Sequence, residues 1–460
     1  MSFFRIRRLT VALVLLCGAI GLSPGVAKSR VAASGGAEKT ASAFALYDSI
    51  GVNTHFSEGI ERANYPGIAK LLGDLGIKHV REGFNPNPDR RAMELSKSLH
   101  QTYGIDFTET ASPGQSPDLW ALYKKGIGAG MVGLEGANES DNRQKDLNWL
   151  PPTLQLQKDL WRAVHGGTPE LAGLTVTGPS LLTCTGAGSF GDQSPYMDYT
   201  NMHRYYGGRP PSVLGWGPST CHSTRGYGSM EMVLGVVRQM AASRPVHATE
   251  TGYCTAPLKG CNPENVAVAY TPQIFTYNFI YEKNYGTSFP RTYLYQLLSE
   301  DLASPSHSYG LVNPDYSPKP MYYALQGFIA RVKDVPSTAR PLAYAVTGPA
   351  LQHVQWLPLS YANGDFGMIL YSEAPIWDPN GTATPQGSPL SVANVDVALS
   401  APNMHDVVVS TLNPKGMWSD AKVARTAHLS VGPYMQIVRW SPGATALQRR
   451  KAPRRIAVAR

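Results

Sequence analysis

From about residue 48 to about residue 333, a short β-like run is followed by a helical pattern, over and over, and that alternation leaves few folds open. The β-like runs lie at 49–56, 78–84, 105–110, 131–136, 174–178, 199–205, 246–251 and 292–297. Between them, Ile68, Leu71, Leu72 and Leu75 share one helical face, and Met93, Leu95 and Leu99 share another. Leu119, Leu122 and Tyr123 follow, then helical stretches at 154–164, 230–240, 266–281 and 320–332. The fifth interval, 180–195, is glycine-rich and polar and reads mostly as loop. Eight runs with interleaved helices predict an α/β chain whose 48–335 segment is a (β/α)₈ barrel rather than an open sheet.

Past residue 335 the helical period disappears. Alternating runs at 354–357, 366–371, 395–399, 406–410 and 434–440 are separated by Gly, Pro and Asn turns. That pattern predicts an antiparallel β-sandwich over 336–442, packed on the barrel, whose first strand could also come from ahead of the barrel. Residues 28–47 are rich in Ala, Ser, Gly and Lys without apolar periodicity and read as a flexible leader.

Before that leader, Arg5, Arg7 and Arg8 precede an apolar stretch from 9 to 22 and a small-residue exit at Gly25, Val26 and Ala27. This is the pattern of a secretory signal peptide over 1–27, so a secreted or periplasmic location is expected, with no integral membrane span. Beyond the signal stand four cysteines, and an even count in an exported chain favours two disulfides. Cys254 with Cys261 would close a small loop, and Cys184 with Cys221 would tie two neighbouring loops. The formal charge of +8 is concentrated at the ends, with three charges in the signal and six among 449–460. The body is left close to −1, which argues against a nucleic-acid-binding surface, and 443–460 reads as a basic disordered tail. Oligomeric state stays open, a monomer being the simplest expectation.

Two of the β-like runs end in carboxylates. Residues 132–141 read VGLEGANESD and residues 245–253 read PVHATETGY, which places Glu139 just past the end of run four and Glu250 at the end of run seven. In a parallel barrel both would project into the mouth at the C-terminal ends of the strands, where this fold carries its chemistry. Two carboxyl groups about 5–5.5 Å apart are the equipment of glycoside hydrolysis with retention. One must stay protonated to give a proton to the leaving oxygen, while the other must be ionised to attack the anomeric carbon. Glu139 reads as acid/base and Glu250 as nucleophile, with no cofactor or metal required. Glu135, earlier in the same run, reads as a structural inward carboxylate. If run four stays extended, Glu135, Ala137 and Glu139 share a side.

The arrangement resembles the clan A glycoside hydrolases, retaining enzymes on (β/α)₈ barrels, several of whose families append a β-module. Asn138-Glu139 is similar to the clan's Asn-Glu pair at strand four, and residues 249–252, TETG, resemble its nucleophile strand. His203-Arg204-Tyr205 on run six looks like the clan's His-x-Tyr, which implies Tyr205 beside the nucleophile. Arg81 looks like the strand-two arginine that hydrogen-bonds the same carboxylate. Many members carry a Trp at the end of strand eight as a floor for the sugar. Here that stretch reads RTYLYQLLSED, so Tyr295 or Gln296 would serve instead.

Each residue also has a plainer reading. Glu139 fits a solvated loop carboxylate, Glu250 a salt bridge to Arg81, and His203 a satisfied core histidine. His55, at the end of run one, is a candidate substrate contact. Trp149, Trp216 and Tyr253 are candidate stacking platforms for sugar faces, or simple loop packing. The expected function is therefore a secreted retaining β-glycoside hydrolase acting on a polysaccharide or oligosaccharide. The competing reading is an exported carbohydrate-binding protein whose barrel does not catalyse.

Overall fold

A computed structural model describes residues 32–33 and 37–443, apart from 58, 143–146, 219–220 and 222. The expected signal at 1–27 and the basic tail beyond 443 lie outside the described residues. Eight parallel strands form one sheet: β1 (Ile50–Asn53), β2 (His79–Gly83), β3 (Asp106–Thr110), β4 (Met131–Glu135), β5 (Thr175–Thr177), β6 (Thr200–Tyr205), β7 (Val246–Gly252) and β8 (Arg291–Leu294). Their order, β5-β4-β3-β2-β1-β8-β7-β6, is closed by a parallel bridge from Thr177 to Tyr199, so the sheet is a (β/α)₈ barrel.

The barrel helices are α1 (Tyr65–Leu75), α2 (Arg90–Tyr103), α3 (Pro117–Ile127), α4 (Leu150–Arg162), α5 (Cys184–Phe190), α6 (Met230–Met240), α7 (Glu264–Tyr285) and α8 (Pro320–Val332). Their ends follow from local chemistry. The Asn64 side chain accepts from Gly67 N–H to start α1, Asp89 does the same for α2, and Ser229 for α6. Gly76 and Gly104 close α1 and α2 in the left-handed conformation, at φ 77° and 68°. The interval read as loop contains α5, which buries Gly186, Ala187 and Phe190. Its glycines mask the period; a Thr183 cap and tertiary packing supply what propensity lacks.

Eight antiparallel strands of three or more residues follow among the described residues: β9 (Ala345–Thr347), β10 (Val354–Ser360), β11 (Phe366–Ser372), β12 (Val395–Ser400), β13 (Met404–Leu412), β14 (Trp418–Val423), β15 (Ala427–Val431) and β16 (Gln436–Pro442). Strands β14, β13, β16, β11 and β10 make one sheet, and β9, β12 and β15 most of the other. Met368, Leu370, Val438 and Trp440 face the second sheet, whereas Leu357, Leu359, Ile369 and Ile437 belong to the barrel-side core. Strand β11 is buried at every position because both of its faces are covered. Helix α7 is likewise buried from Val266 through Thr276, and Gln273 Nε2 donates to Pro433 O at 2.7 Å across the junction.

The leader is the main correction. Residues 37–47, expected to be flexible, are built into the fold. Ala41–Ser42 adds a strand to β10, Glu38–Lys39 pairs with Pro341–Leu342, and Ala32–Ala33 pairs with β9. The helix Ala43–Asp48 then buries Ala43, Leu46 and Tyr47. Two-residue strands are held by backbone hydrogen bonds, which no side-chain period announces.

Candidate active site

The barrel interior is polar, and Arg81 on β2 is its centre. Its Nε and Nη2 donate to the two oxygens of Glu135 at 2.7 and 2.8 Å, a bidentate pair. Nη1 donates to Glu250 Oε1 at 2.8 Å and Nη2 also to Asn138 Oδ1 at 2.9 Å. Arg81, Glu135 and Glu250 are all buried, so each charge depends on the others. Burial alone would lower the pKa of Arg81, but the two carboxylates outweigh it and the guanidinium is held above its ordinary range. The second oxygen of Glu250 accepts from the Tyr205 hydroxyl at 2.9 Å. Burial, reinforced by Glu250, pushes the Tyr205 phenol well above its usual range, so it stays a neutral donor.

Glu139 stands opposite. His203 Nδ1 lies 2.7 Å from Glu139 Oε1 and 3.5 Å from Glu250 Oε2. One ligand-type atom from each of Glu139, His203 and Glu250 falls within 4.8 Å of the others. The other imidazole nitrogen, Nε2, is 3.0 Å from Thr249 Oγ1. That hydroxyl in turn reaches Asn201 Oδ1 at 2.7 Å and Glu135 Oε1 at 3.1 Å. Asn201 Nδ2 donates to Glu135 Oε1 and Gly178 O, which fixes its Oδ1 as the acceptor facing Thr249. The Glu139, His203 and Glu250 atoms are also a possible cation-ligand set, but Arg81 already supplies positive charge to Glu250.

Local backbone features aim these side chains. On β7, alternation sends His247 and Thr249 inward, and Glu250 by the same rule would point out. The pairing of β7 with β6 shifts register between Ala248 and Glu250, an irregularity that lets Thr249 and Glu250 both bond inside the barrel. On the other side, β4 ends at Glu135, so Glu139 does not continue its alternation. Asn138 bridges Ser180, the Glu139 N–H donates to Ser180 O at 2.9 Å, and Glu139 itself adopts φ 47°. A non-glycine residue in that left-handed region is uncommon and concentrates where function requires it.

The remaining candidates separate. Tyr295 packs edge-on to His55 at 5.9 Å and to Tyr309 at 5.9 Å, and burial followed by repulsion from Glu250 raises its pKa. Gln296 is fully buried, so it presents no surface to a sugar. Trp216, 45% exposed, donates to Tyr205 O at 3.2 Å and packs on Tyr227. Trp149, the half-buried N-cap residue just ahead of α4, lines an open groove of about 400 Å³ with Asp141, Thr183 and Ser189. Tyr253 is no platform: it is buried against Tyr206 and Tyr270 and donates to Arg209 O. Sequence reasoning missed Asn201, Thr249 and Tyr309. Asn201, His203 and Tyr205 are two apart on β6, a spacing that puts all three on one face. Both expected disulfides are present, Cys184–Cys221 and Cys254–Cys261.

No protein-family model matches the chain, and no curated protein matches it in sequence. Solved structures do. A family 39 glycoside hydrolase from the gut symbiont Bacteroides cellulosilyticus WH2 is similar over 85% of this chain and 80% of its own, at 14% identity and a TM-score of 0.55. A glucosidase from Croceicoccus marinus is similar over 89% of this chain and 98% of its own, at 12% identity and a TM-score of 0.58. A monomeric β-xylosidase from Caulobacter crescentus CB15 is similar over the same shares, at 14% identity and a TM-score of 0.55. At such identities the likeness is one of fold: the chain shares the barrel with appended β-module of these proteins.

Proposed function

We propose that the chain is an exported retaining β-glycoside hydrolase, with Glu250 as nucleophile and Glu139 as acid/base. The observation that carries this reading is the placement of oxygens from Glu139 and Glu250 within 4.8 Å of each other at the C-terminal mouth of the barrel. A gap of that order suits direct attack on the anomeric carbon, with no room for the water that an inverting pair must hold between them.

The hydrogen bonds divide the labour. Glu250 accepts at both oxygens, from Arg81 and Tyr205, as an ionised nucleophile does. For Glu139 the relay behind it matters. The Thr249 hydroxyl has one proton, and its nearest acceptor is Asn201 Oδ1. Its lone pair therefore faces His203 Nε2, which in the neutral imidazole carries the hydrogen. Nδ1 is then an acceptor, and the 2.7 Å contact asks Glu139 to donate. This is the protonated form that a general acid needs before bond cleavage. As the glycosidic bond breaks, Glu139 gives its proton to the leaving oxygen while Glu250 bonds to C1. Glu139, now ionised, takes a proton from water as that water displaces Glu250.

Export is supported by the two disulfides, which persist in oxidising compartments. The barrel and the β-module are proposed as the domains at 48–335 and 336–442. Among the described residues no helix is long and apolar enough to cross a membrane. The substrate is a carbohydrate whose faces meet Tyr295, Tyr205 and Trp216, with His55, Asn138, His203 and Trp149 around them. Glu250→Ala should abolish turnover of a glycoside with a good leaving group, and added azide should restore it as the inverted glycosyl azide. Wild-type turnover in that variant would end the assignment. Glycan binding with no hydrolysis by the intact chain would leave the non-catalytic reading.

A further inference from the structure

Tyr309, on the loop after β8, stands beside the proposed nucleophile. Its ring packs edge-on to Tyr205 at 5.3 Å and to Tyr295 at 5.9 Å, and Tyr205 is the donor to Glu250 Oε2. The ring also borders Gly252, two residues past Glu250, where a Cβ would stand 3.5 Å from Tyr309 Cδ1. Burial, then the charge of Glu250, raises the Tyr309 phenol to about 12, so it stays neutral. The residue is partly exposed, and its hydroxyl is open to solvent with no hydrogen-bond partner among the described residues. A phenol on a largely buried ring usually finds a partner. One left open beside two carboxylates offers a donor and an acceptor to whatever those carboxylates receive.

One buried cation pins the backbone on both sides of Tyr309. Lys319 is 1% exposed, and its Nζ donates to Ser299 Oγ at 2.8 Å, Thr255 Oγ1 at 2.9 Å and Ser308 O at 3.3 Å. That is one acceptor for each ammonium hydrogen. Ser308 O also accepts from the Thr255 N–H at 3.2 Å, and Ser299 Oγ from the Gly310 N–H at 3.0 Å. Residues 308 and 310, which flank Tyr309, are thereby tied through Lys319 to the loop after β7 and to each other. Burial lowers the Lys319 pKa to about 8 against the pull of Glu264, which leaves the ammonium charged at neutral pH. A buried cation bonded only to neutral acceptors costs stability, and this one stands where it fixes Tyr309.

We propose that Tyr309 binds a hydroxyl of the sugar that meets Glu250, and that Lys319 is the positioning residue that holds Tyr309 there. Only the identity of the ligand as a sugar rests on the hydrolase reading. Calorimetric titration with 1-deoxynojirimycin and its xylo, galacto and manno counterparts reads the pocket without turnover. For the iminosugar that binds best, Tyr309→Phe should weaken affinity roughly 2- to 12-fold, the worth of one neutral hydrogen bond. Ser299→Ala should weaken it likewise, as should Lys319→Met where that variant folds. Neither should add to the loss once Tyr309 is Phe, because both act through the same hydroxyl. Full affinity in Tyr309→Phe, or no binding of any of the four by the intact chain, would overturn the inference. Additive losses, or a lowered unfolding midpoint with affinity unchanged in the Ser299 and Lys319 variants, would overturn the role of Lys319. Hydrolysis by a chain whose Tyr309→Phe variant binds as tightly as wild type defeats this inference alone. The expected losses in a chain that hydrolyses no glycoside defeat the hydrolase reading alone.

Discussion

Replacing Thr249 with valine tests the proton relay with little change of shape. The hydroxyl is fully buried and occupies the single position between His203 Nε2, Asn201 Oδ1 and Glu135 Oε1. Valine leaves the Nε2 hydrogen facing a methyl group, and an unsatisfied buried donor costs about 1–3 kcal/mol. The imidazole can avoid that cost by moving its hydrogen to Nδ1, where it donates to Glu139 and favours the ionised carboxylate. At about 1.4 kcal/mol per tenfold, kcat/KM should fall roughly 5- to 150-fold for a substrate with a sugar leaving group. A dinitrophenyl glycoside needs little help from the acid, so its kcat/KM should barely change. The alkaline limb of the pH profile, which reports the acid in the free enzyme, should move to lower pH. Equal losses on both substrates, or an alkaline limb that stays in place, would refute the relay.

Two further outcomes follow from burial and from chain connectivity. Burial, with Glu82 second, holds the Glu109 carboxyl well above its ordinary value of 4.5, and its Oε2 has no partner. The folded state then keeps a proton that the unfolded state has lost, so stability declines as pH rises from about 4.5 toward the folded value. Glu109→Gln removes that decline, and urea unfolding should show the variant gaining more on wild type at about pH 7 than at about pH 4. A pH-independent difference would contradict it. The Cys184–Cys221 bridge spans 37 residues of sequence. Loop-closure entropy puts its removal in a Cys184→Ser, Cys221→Ser double variant at about 4 kcal/mol at most. A unchanged urea midpoint would show that the α5 region does not gain stability from the cross-link.

Much of the barrel was legible because its signal is local. Each strand is a short run of apolar residues and each helix a periodic face with its own cap, as in α1 with Asn64 and Gly76. The ends of β4 and β7 could be located for the same reason, and with them Glu139 and Glu250. What escaped was set by contacts distant in sequence. Ala41–Ser42 becomes a strand only because β10 lies beside it, some three hundred residues on. The register shift that turns Glu250 inward depends on how β7 meets β6, and the positive φ of Glu139 on its bond to Ser180. Tyr253 looked like a platform because it follows a strand end, yet the loop carries its ring into the core beside Tyr270. Thr249 opens the TETG stretch, but that stretch assigns it no role, and its place in the relay depends on Asn201 and His203 from another strand.

The central claim is that Glu250 forms a covalent bond to the sugar while Glu139 does not. Incubating the protein with the 2-deoxy-2-fluoro derivative of a glycoside it cleaves slows release of that intermediate enough for mass spectrometry of the digested chain. The account expects one added glycosyl group, on the peptide that contains Glu250. An adduct on Glu139, or turnover by inversion with no adduct anywhere, would contradict it.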